Sequence, residues 1–414
     1  MTRFPACLRT WNAVSFHHPH DTYARSGTAP HDTRAAPRHE SVRLTRPVTC
    51  LLALRPLLAT ALLSLPTALL PLRAHALNVV APVTTLVNDG CADQDDMCFW
   101  LHPTDLSRST VIVSDKEGRS LFVYDLAGRA LQSIAVAKPG NIDIRYNFPL
   151  GGERVDIVAV NDRKTRKIRI YRVDRVTRLL SRVDDDDIHT DQNYGFALYR
   201  SPVTGRYFAF TGRELETVVK QWELVDNGRG RISGSGPLRQ MVPGGVVEGM
   251  VADDETGTIY VSQESGGVWK FSAEPTGDTS GKRIACVGEH GLVPDVEGIT
   301  LYYRPGGAGY LIVSSQGSDD FKVFDRRPPH AYIGTFSVKG AAKTDGCDVI
   351  NLPLGPSLPR GAFACHNGTG KPHAVELVSW ADIARSLGLE IDTGHWDPRR
   401  VREPGQGSTR APGM

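Results

Sequence analysis

Acidic residues recur at the start of apolar runs along this chain: Asp96 (DMCFWLHP), Asp143 (DIRYNFPL), Glu248 (EGMVADDE), Glu297 with Asp295 just before it (PDVEGITLYY), and Asp345 (DGCDVINL). Tyr194 (YGFALYRS) opens one more run of the same kind. A second set closes neighbouring runs: Lys116, Arg163 and Arg213, then Glu264, Gln316 and Asn367. Gathered on one face, the carboxylates would raise one another's pKa until cations intervened. Oxygen-only ligands of mixed carboxylate and amide type suit calcium, which takes about 6–8 oxygens. Lys and Arg beside metal-loaded carboxylates suit an anionic, multiply phosphorylated substrate, Arg through bidentate phosphate contacts. The chemistry implied is metal-assisted hydrolysis, in which cations polarise a phosphoryl oxygen and activate water while basic side chains offset the transferring charge. No protein nucleophile is needed. Other phosphatase signatures are missing: there is no Arg-His-Gly-x-Arg-x-Pro, no His-Cys-x5-Arg loop, no Walker loop and no Gly-x-Ser-x-Gly elbow.

What must gather these residues is a repeat. With Glu297 in place, the six openings follow one another at 47, 51, 54, 49 and 48 residues, and the second set at 47, 50, 51, 52 and 51. The clearest unit is Val293–Ser318, where apolar runs Ile299–Tyr303 and Tyr310–Ser314 flank the turn sequence RPGGAG. Antiparallel pairing brings the polar groups before the first strand and after the second to one end. A third strand centres on an aromatic in five units: Tyr124, Tyr171, Trp222, Trp269 and Phe324. A period near fifty residues with short strands predicts an all-β fold, a six-bladed β-propeller with about four antiparallel strands per blade. The first strand of each blade lines the central channel. The openings therefore form an inner ring and the second-strand ends a wider ring on the same face. Leu77–Val87 (LNVVAPVTTLV) reads as the outer strand of the last blade, closing the ring from the N-terminus. Ala381–Leu389 suits a short helix, and 390–414 reads as a disordered tail.

Residues 1–76 stand apart from the propeller domain, 77–389. Arg43 and Arg46 precede a leucine-rich stretch ending at Ala74-His75-Ala76, which reads as a secretory signal (about 43–76) with a small-x-small cleavage site. The alternative is a membrane span, but Arg55, Pro56, Pro66, Pro71 and Arg73 interrupt it. The expected mature chain is a secreted or periplasmic monomer with no membrane attachment. The leader holds nine Arg and three acidic residues, so a whole-chain charge of +2 becomes −4, from 39 basic and 43 acidic residues. A nucleic-acid role thereby loses its electrostatic support. Export permits disulfides. Cys347 with Cys365 and Cys91 with Cys98 are the candidate pairs, leaving Cys286 free, and buried thiols are the alternative. No Cys-x-x-Cys or Cys/His cluster at ligand spacing occurs, so zinc is not expected.

The stretches DDMCFWLHP, SDKEG, GNIDIRYNFPLGG, VDIVAVNDR, YGFALY, EGMVADDETG, VWKFSAEP, PDVEGITLYY, GYLIVSSQG, TDGCDV and VSWADIA resemble the β-propeller phytases, in order over roughly 93–389. The resemblance implies a calcium-dependent enzyme that removes phosphate from phytate (myo-inositol hexakisphosphate) or its calcium complex. It places several calcium ions near Asp96, Glu248, Glu264, Asp295, Glu297, Asp345 and Asn367. It places Lys116, Arg163, Tyr194, Arg213 and Glu214 against phosphate or calcium at the cleavage and adjoining sites. Three departures stand out. Arg213 replaces a more usual Lys, Glu117 stands where a second Lys commonly follows Lys116, and SVKGAAKTDG before Asp345 lacks an additional acidic ligand. Two rival functions are a non-catalytic ligand-binding propeller and a calcium-dependent lactonase or esterase; the latter would not need Lys116, Arg163 and Arg213 together.

Overall fold

A computed structural model describes residues 78–213, 217–394 and 396–399. Six sheets make six blades, antiparallel and paired strand to strand in sequence order apart from two strands added from the N-terminus. Their first strands are Gln94–Trp100, Pro139–Leu150, Phe196–Arg200, Val247–Asp253, Val296–Tyr303 and Cys347–Ile350. These strands touch in succession around a ring, the last meeting the first. Second strands such as Thr110–Asp115 and Tyr207–Gly212 are buried on both faces, because a blade packs against a neighbour on each side. Outer strands such as Ala130–Ala135 are partly exposed. Between blades two and three, Phe148, Ile157 and Ile168 interdigitate with Phe196, Leu198 and Trp222. Each such full burial contributes about 1.5–3 kcal/mol.

The ring closes from the N-terminus as expected, with one refinement. Pro82–Leu86 pairs antiparallel with Ala374–Ser379 and completes blade six. The residues just before it, Asn78–Val80, run parallel to Tyr332–Val338 and give blade five a fifth strand. The chain therefore laces two blades together rather than one.

Four inner strands share one irregularity. Gln94 to Met97, Pro139 to Ile142, Val247 to Met250 and Val296 to Ile299 each take three steps opposite two on the second strand. The extra residue is a β-bulge, which bends the strand and re-aims a side chain. Glycines sit beside the bulges where adjacent inner strands approach. A Cβ on Gly249 would run into the Glu297 carbonyl oxygen, and one on Gly298 into that of Asp345. The Gly298 amide bonds Asp345 O at 2.9 Å, and the Gly346 amide bonds Asp95 O at 3.0 Å. The acid–glycine dipeptides are thus a packing device.

The helix spans Trp380–Leu387 and ends at Gly388, whose φ of 65° requires the left-handed region. Beyond it the chain departs from the expected tail. The Tyr310 and Tyr302 hydroxyls bond the backbone of Glu390 and Asp392. Trp396 stacks on Tyr303 with centroids 4.4 Å apart, and Arg399 pairs with Asp156 at 2.8 Å. This segment straps blade five to blade two, held by partners too distant in sequence for composition to reveal. Residues 400–414 and the leader lie outside the described residues. All five described cysteines are free thiols, so neither anticipated bridge is made. Cys347 and Cys365 face one another directly across the ladder, and Cys91 lies 3.1 Å from the Tyr124 hydroxyl.

Candidate active site

The bulges decide which residue of each inner strand faces the rim. In blade one it is Asp95; in blades four and five it is Glu248 and Glu297. Tyr194 and Asp345 hold the matching position, each before the inner glycine of its blade. On one side of the rim, Lys116 Nζ donates to Asp95 Oδ1 at 2.7 Å and to Asp345 Oδ2 at 3.3 Å, with Asp93 Oδ2 at 3.6 Å. The Gln316 side-chain amide donates to the other Asp345 oxygen. Burial would discharge Lys116, but the three carboxylates override it and push its pKa up. Burial likewise disfavours a charged Asp95, yet Lys116 brings it down to about 2. Asp345 goes the other way: burial and the Asp95 charge hold its carboxyl well above the usual range.

On the other side, carboxylate faces carboxylate. Glu248, Glu264 and Glu297 each present an oxygen, all within 4.8 Å of one another. Glu297 is 4 % exposed, and its Oε2 is buried without a hydrogen-bond partner. Burial first, and the Glu248 charge second, push the Glu297 carboxyl far up. Burial and the same three carboxylates raise the Tyr194 phenol, which keeps it protonated. The Arg163 guanidinium lies 4.2 Å from the centroid of the Tyr194 ring. Arg213 is half-buried just past Tyr207–Gly212, and Glu214 lies outside the described residues. An oxygen-only cluster with an orphaned buried carboxylate oxygen fits a hard divalent cation such as calcium.

The rim thus brings together Lys116, Arg163, Tyr194, Glu248, Glu264, Glu297 and Asp345. Other predicted ligands are engaged elsewhere. Asp96 accepts the amides of Met97 at 2.9 Å and Ile142 at 3.1 Å, stitching blade one to blade two. Asp143 does the same with Ile144 at 2.6 Å and Leu198 at 2.8 Å. Asn367 donates to Glu376 at 2.8 Å and accepts from Thr369, so its amide is bound within blade six. Asp295 is exposed, and its carbonyl accepts the Gln316 amide. The error at Asp96 is one of register: a shift of one residue sends a strand side chain to the opposite face. The Asp95-Asp96 pair offered both choices, and a bulge that sequence does not announce selected Asp95. His366 and His373, which reasoning by spacing passed over, lie beside Asp345 and Asp93.

A cavity of about 600 Å³ lies at the far ends of the inner strands, walled by Arg145, Tyr146, Asp254, Tyr303 and Trp396. It is remote from the carboxylate cluster, and its charges are paired within the protein.

A family model described as Phytase matches residues 47–404. The curated 3-phytase of Bacillus subtilis (strain 168) is 36% identical over 355 residues, covering 80% of this chain and 92% of its own length. A solved calcium-binding protein, regucalcin of Agrobacterium tumefaciens strain C58, matches at 11% identity and a TM-score of 0.45. That alignment covers 76% of this chain and 96% of the other, and the likeness is too slight to carry an argument.

Proposed function

This chain belongs to the phytase family, and on that premise we propose that its rim releases phosphate from phytate by calcium-dependent attack of water. Phytate hydrolysis comes with the family; calcium and the residue roles are the proposal. The observation that carries it is the Glu248–Glu264–Glu297 cluster, with its orphaned buried oxygen, set beside Arg163 and Tyr194.

Glu248, Glu264 and Glu297 would hold calcium, and exposed Asp295 is available to a further ion. Bound there, calcium supplies a Lewis acid that polarises a phosphoryl oxygen and lowers the pKa of water. Lys116, kept charged by Asp95 and Asp345, binds a phosphate oxygen as a point charge. Arg163, stacked on Tyr194, presents a planar guanidinium that takes two phosphate oxygens together. Tyr194 keeps its proton and donates it in a hydrogen bond to phosphate. Arg213 serves the adjoining phosphate position, and the Glu214 carboxylate, which phosphate would repel, suits calcium there.

The test is phosphate release from phytate by metal-stripped enzyme, before and after calcium is restored. Turnover should return with calcium, and Glu297→Gln and Arg163→Ala should each lose most of it. Calcium-dependent hydrolysis retained in both variants would overturn these roles. Phosphate release that needs no metal would overturn the calcium assignment, leaving the family membership untouched. A non-catalytic propeller or a lactonase would release no phosphate at all.

Export is part of the same reading. Among the described residues no helix is long and apolar enough to cross a membrane. The leader composition supports secretion or a periplasmic location, and cell fractionation of the untagged protein decides between them.

A further inference from the structure

We propose that Asp93, His366 and His373 form a site for one divalent transition ion of the zinc class, separate from the oxygen-lined cluster at the rim. Asp93 is far in sequence from His366 and His373, which are themselves seven positions apart, so no Cys/His motif at the usual ligand spacing announced the site. Asp93 lies on the approach to the first strand of blade one. His366 is in the second strand of blade six, and His373 immediately precedes the third. The fold holds them firmly: the His373 amide bonds Ala92 O at 3.2 Å, and the Asp93 amide bonds Asp115 Oδ1 at 2.9 Å.

The geometry suits an ion. His366 Nε2 lies 3.4 Å from His373 Nδ1, and two ligands about 2.0–2.1 Å from a tetrahedral zinc are roughly 3.3 Å apart. One potential ligand atom from each of the three residues lies within 4.8 Å of the others. Asp93 Oδ1 lies 2.5 Å from His373 Nδ1, a pairing that an ion would open to the spacing of two ligands. Imidazole nitrogens favour zinc-class ions, whereas calcium takes oxygen. His366 is 2 % exposed, while Asp93 and His373 are 16 % and 21 % exposed. Three protein ligands leave a fourth position, toward the exposed side, for water.

Asp345 provides the outer support. Its amide donates to His366 Nδ1 at 3.0 Å. An ion on Nε2 would shift the ring proton to Nδ1, which then gives up the Asp345 amide and turns to Asp345 Oδ2, 3.4 Å away. Carboxylates orient metal-bound imidazoles in this way. Asp93 is also one of the three carboxylates around Lys116, so the ion would withdraw it from that group and couple the new site to the phosphate-binding side.

The test titrates metal-stripped full-length protein with Co2+ in saturating calcium, which keeps the oxygen sites filled. A saturable visible absorption band at one equivalent, displaced by Zn2+, is expected. His373→Ala and Asp93→Asn should each weaken binding by about tenfold or more, with melting temperatures in calcium close to wild type. X-ray absorption of the zinc-loaded wild type, which involves no variant, should report two imidazoles in the shell. No saturable band, unchanged affinity in both variants, a thiolate charge-transfer band or an oxygen-only shell would each overturn the site.

Discussion

The two ends of the central channel both bury charge, but only at one end does a cluster of carboxylates face its own kind. At the end away from the rim, Arg145 pairs with Asp143 and Asp254 at 2.9 Å each and donates to the carbonyls of Ile144, Leu198 and Ala252. Arg326 does the same for Asp253, at 2.6 and 2.8 Å, and for Glu255 at 2.8 Å. At the rim, by contrast, Glu248, Glu264 and Glu297 face one another. Buried charges that satisfy one another hold the ring together. Buried charges of one sign leave room for something from outside. The same residue types therefore serve architecture at one mouth and, on the proposed function, chemistry at the other, and the difference lies in whether the nearest charge is opposite or alike.

The comparison can be broken by removing one member from each end. Glu297→Gln should lower kcat by about 100-fold or more, the scale of losing a preorganised electrostatic contact in a transition state. It should leave the metal-free melting temperature unchanged or raised, because a like-charge contact is relieved. Arg326→Ala should do the opposite, destabilising the fold by about 3–5 kcal/mol through stranded buried carboxylates. Its kcat per folded molecule should stay near wild type. Paired thermal melts and steady-state kinetics read both, and a common pattern for the two variants would dissolve the distinction.

A pH series sharpens it further. Glu297 has its folded pKa raised above its unfolded value of 4.5, so it binds its proton more tightly when folded. Stability of the metal-free protein should therefore fall as pH climbs above about 4.5, and calcium should flatten that limb. Asp95, lowered to about 2, acts in the reverse sense: its contribution is present above 3.8 and lost as pH falls toward that lower value. Denaturant unfolding with chelator and with calcium, from pH 2 to 8, measures both slopes. A metal-free protein that gains stability above pH 4.5 would contradict the like-charge cluster.

Smaller effects bear on the periphery of each end. Trp396→Ala removes the stacked ring of the C-terminal strap and should cost about 1–3 kcal/mol by chemical denaturation, without altering phytate turnover. Glu117, exposed and 3.2 Å from Lys138, stands near the cationic arc. Glu117→Lys should lower KM for phytate only a few fold, consistent with the modest worth of exposed charges, about 0–1 kcal/mol. A larger gain would mean that Glu117 lies closer to bound phosphate than the arc suggests.

Much of the fold was legible because its signals are local or periodic. Hairpin turns, apolar runs and an aromatic third strand repeat near every fifty residues, and only a closed ring of small sheets uses such a repeat economically. Glu248, Glu264, Glu297, Lys116, Arg163 and Asp345 followed from position within the repeat alone. Asp96 and Asn367 differ in where they are engaged. Their types were right, but a bulge at Gln94–Met97 and the hydrogen bonds of Thr369 and Glu376 turn them to other partners. The docked strap was not legible, since Trp396 finds Tyr303 across 93 positions of chain.

The order of residues therefore determined that this chain makes six similar blades and that acids and bases recur at matching places in them, because hydrophobic periodicity and turn chemistry act over a few neighbours. Which member of each acidic pair points to the rim, and which distant histidines meet an aspartate, was decided only when the ring closed. Register, bulges and inter-blade packing depend on contacts between segments that share no local signal. Those contacts set direction and countercharge, and with them the division between a carboxylate that holds a strand and one that faces other carboxylates.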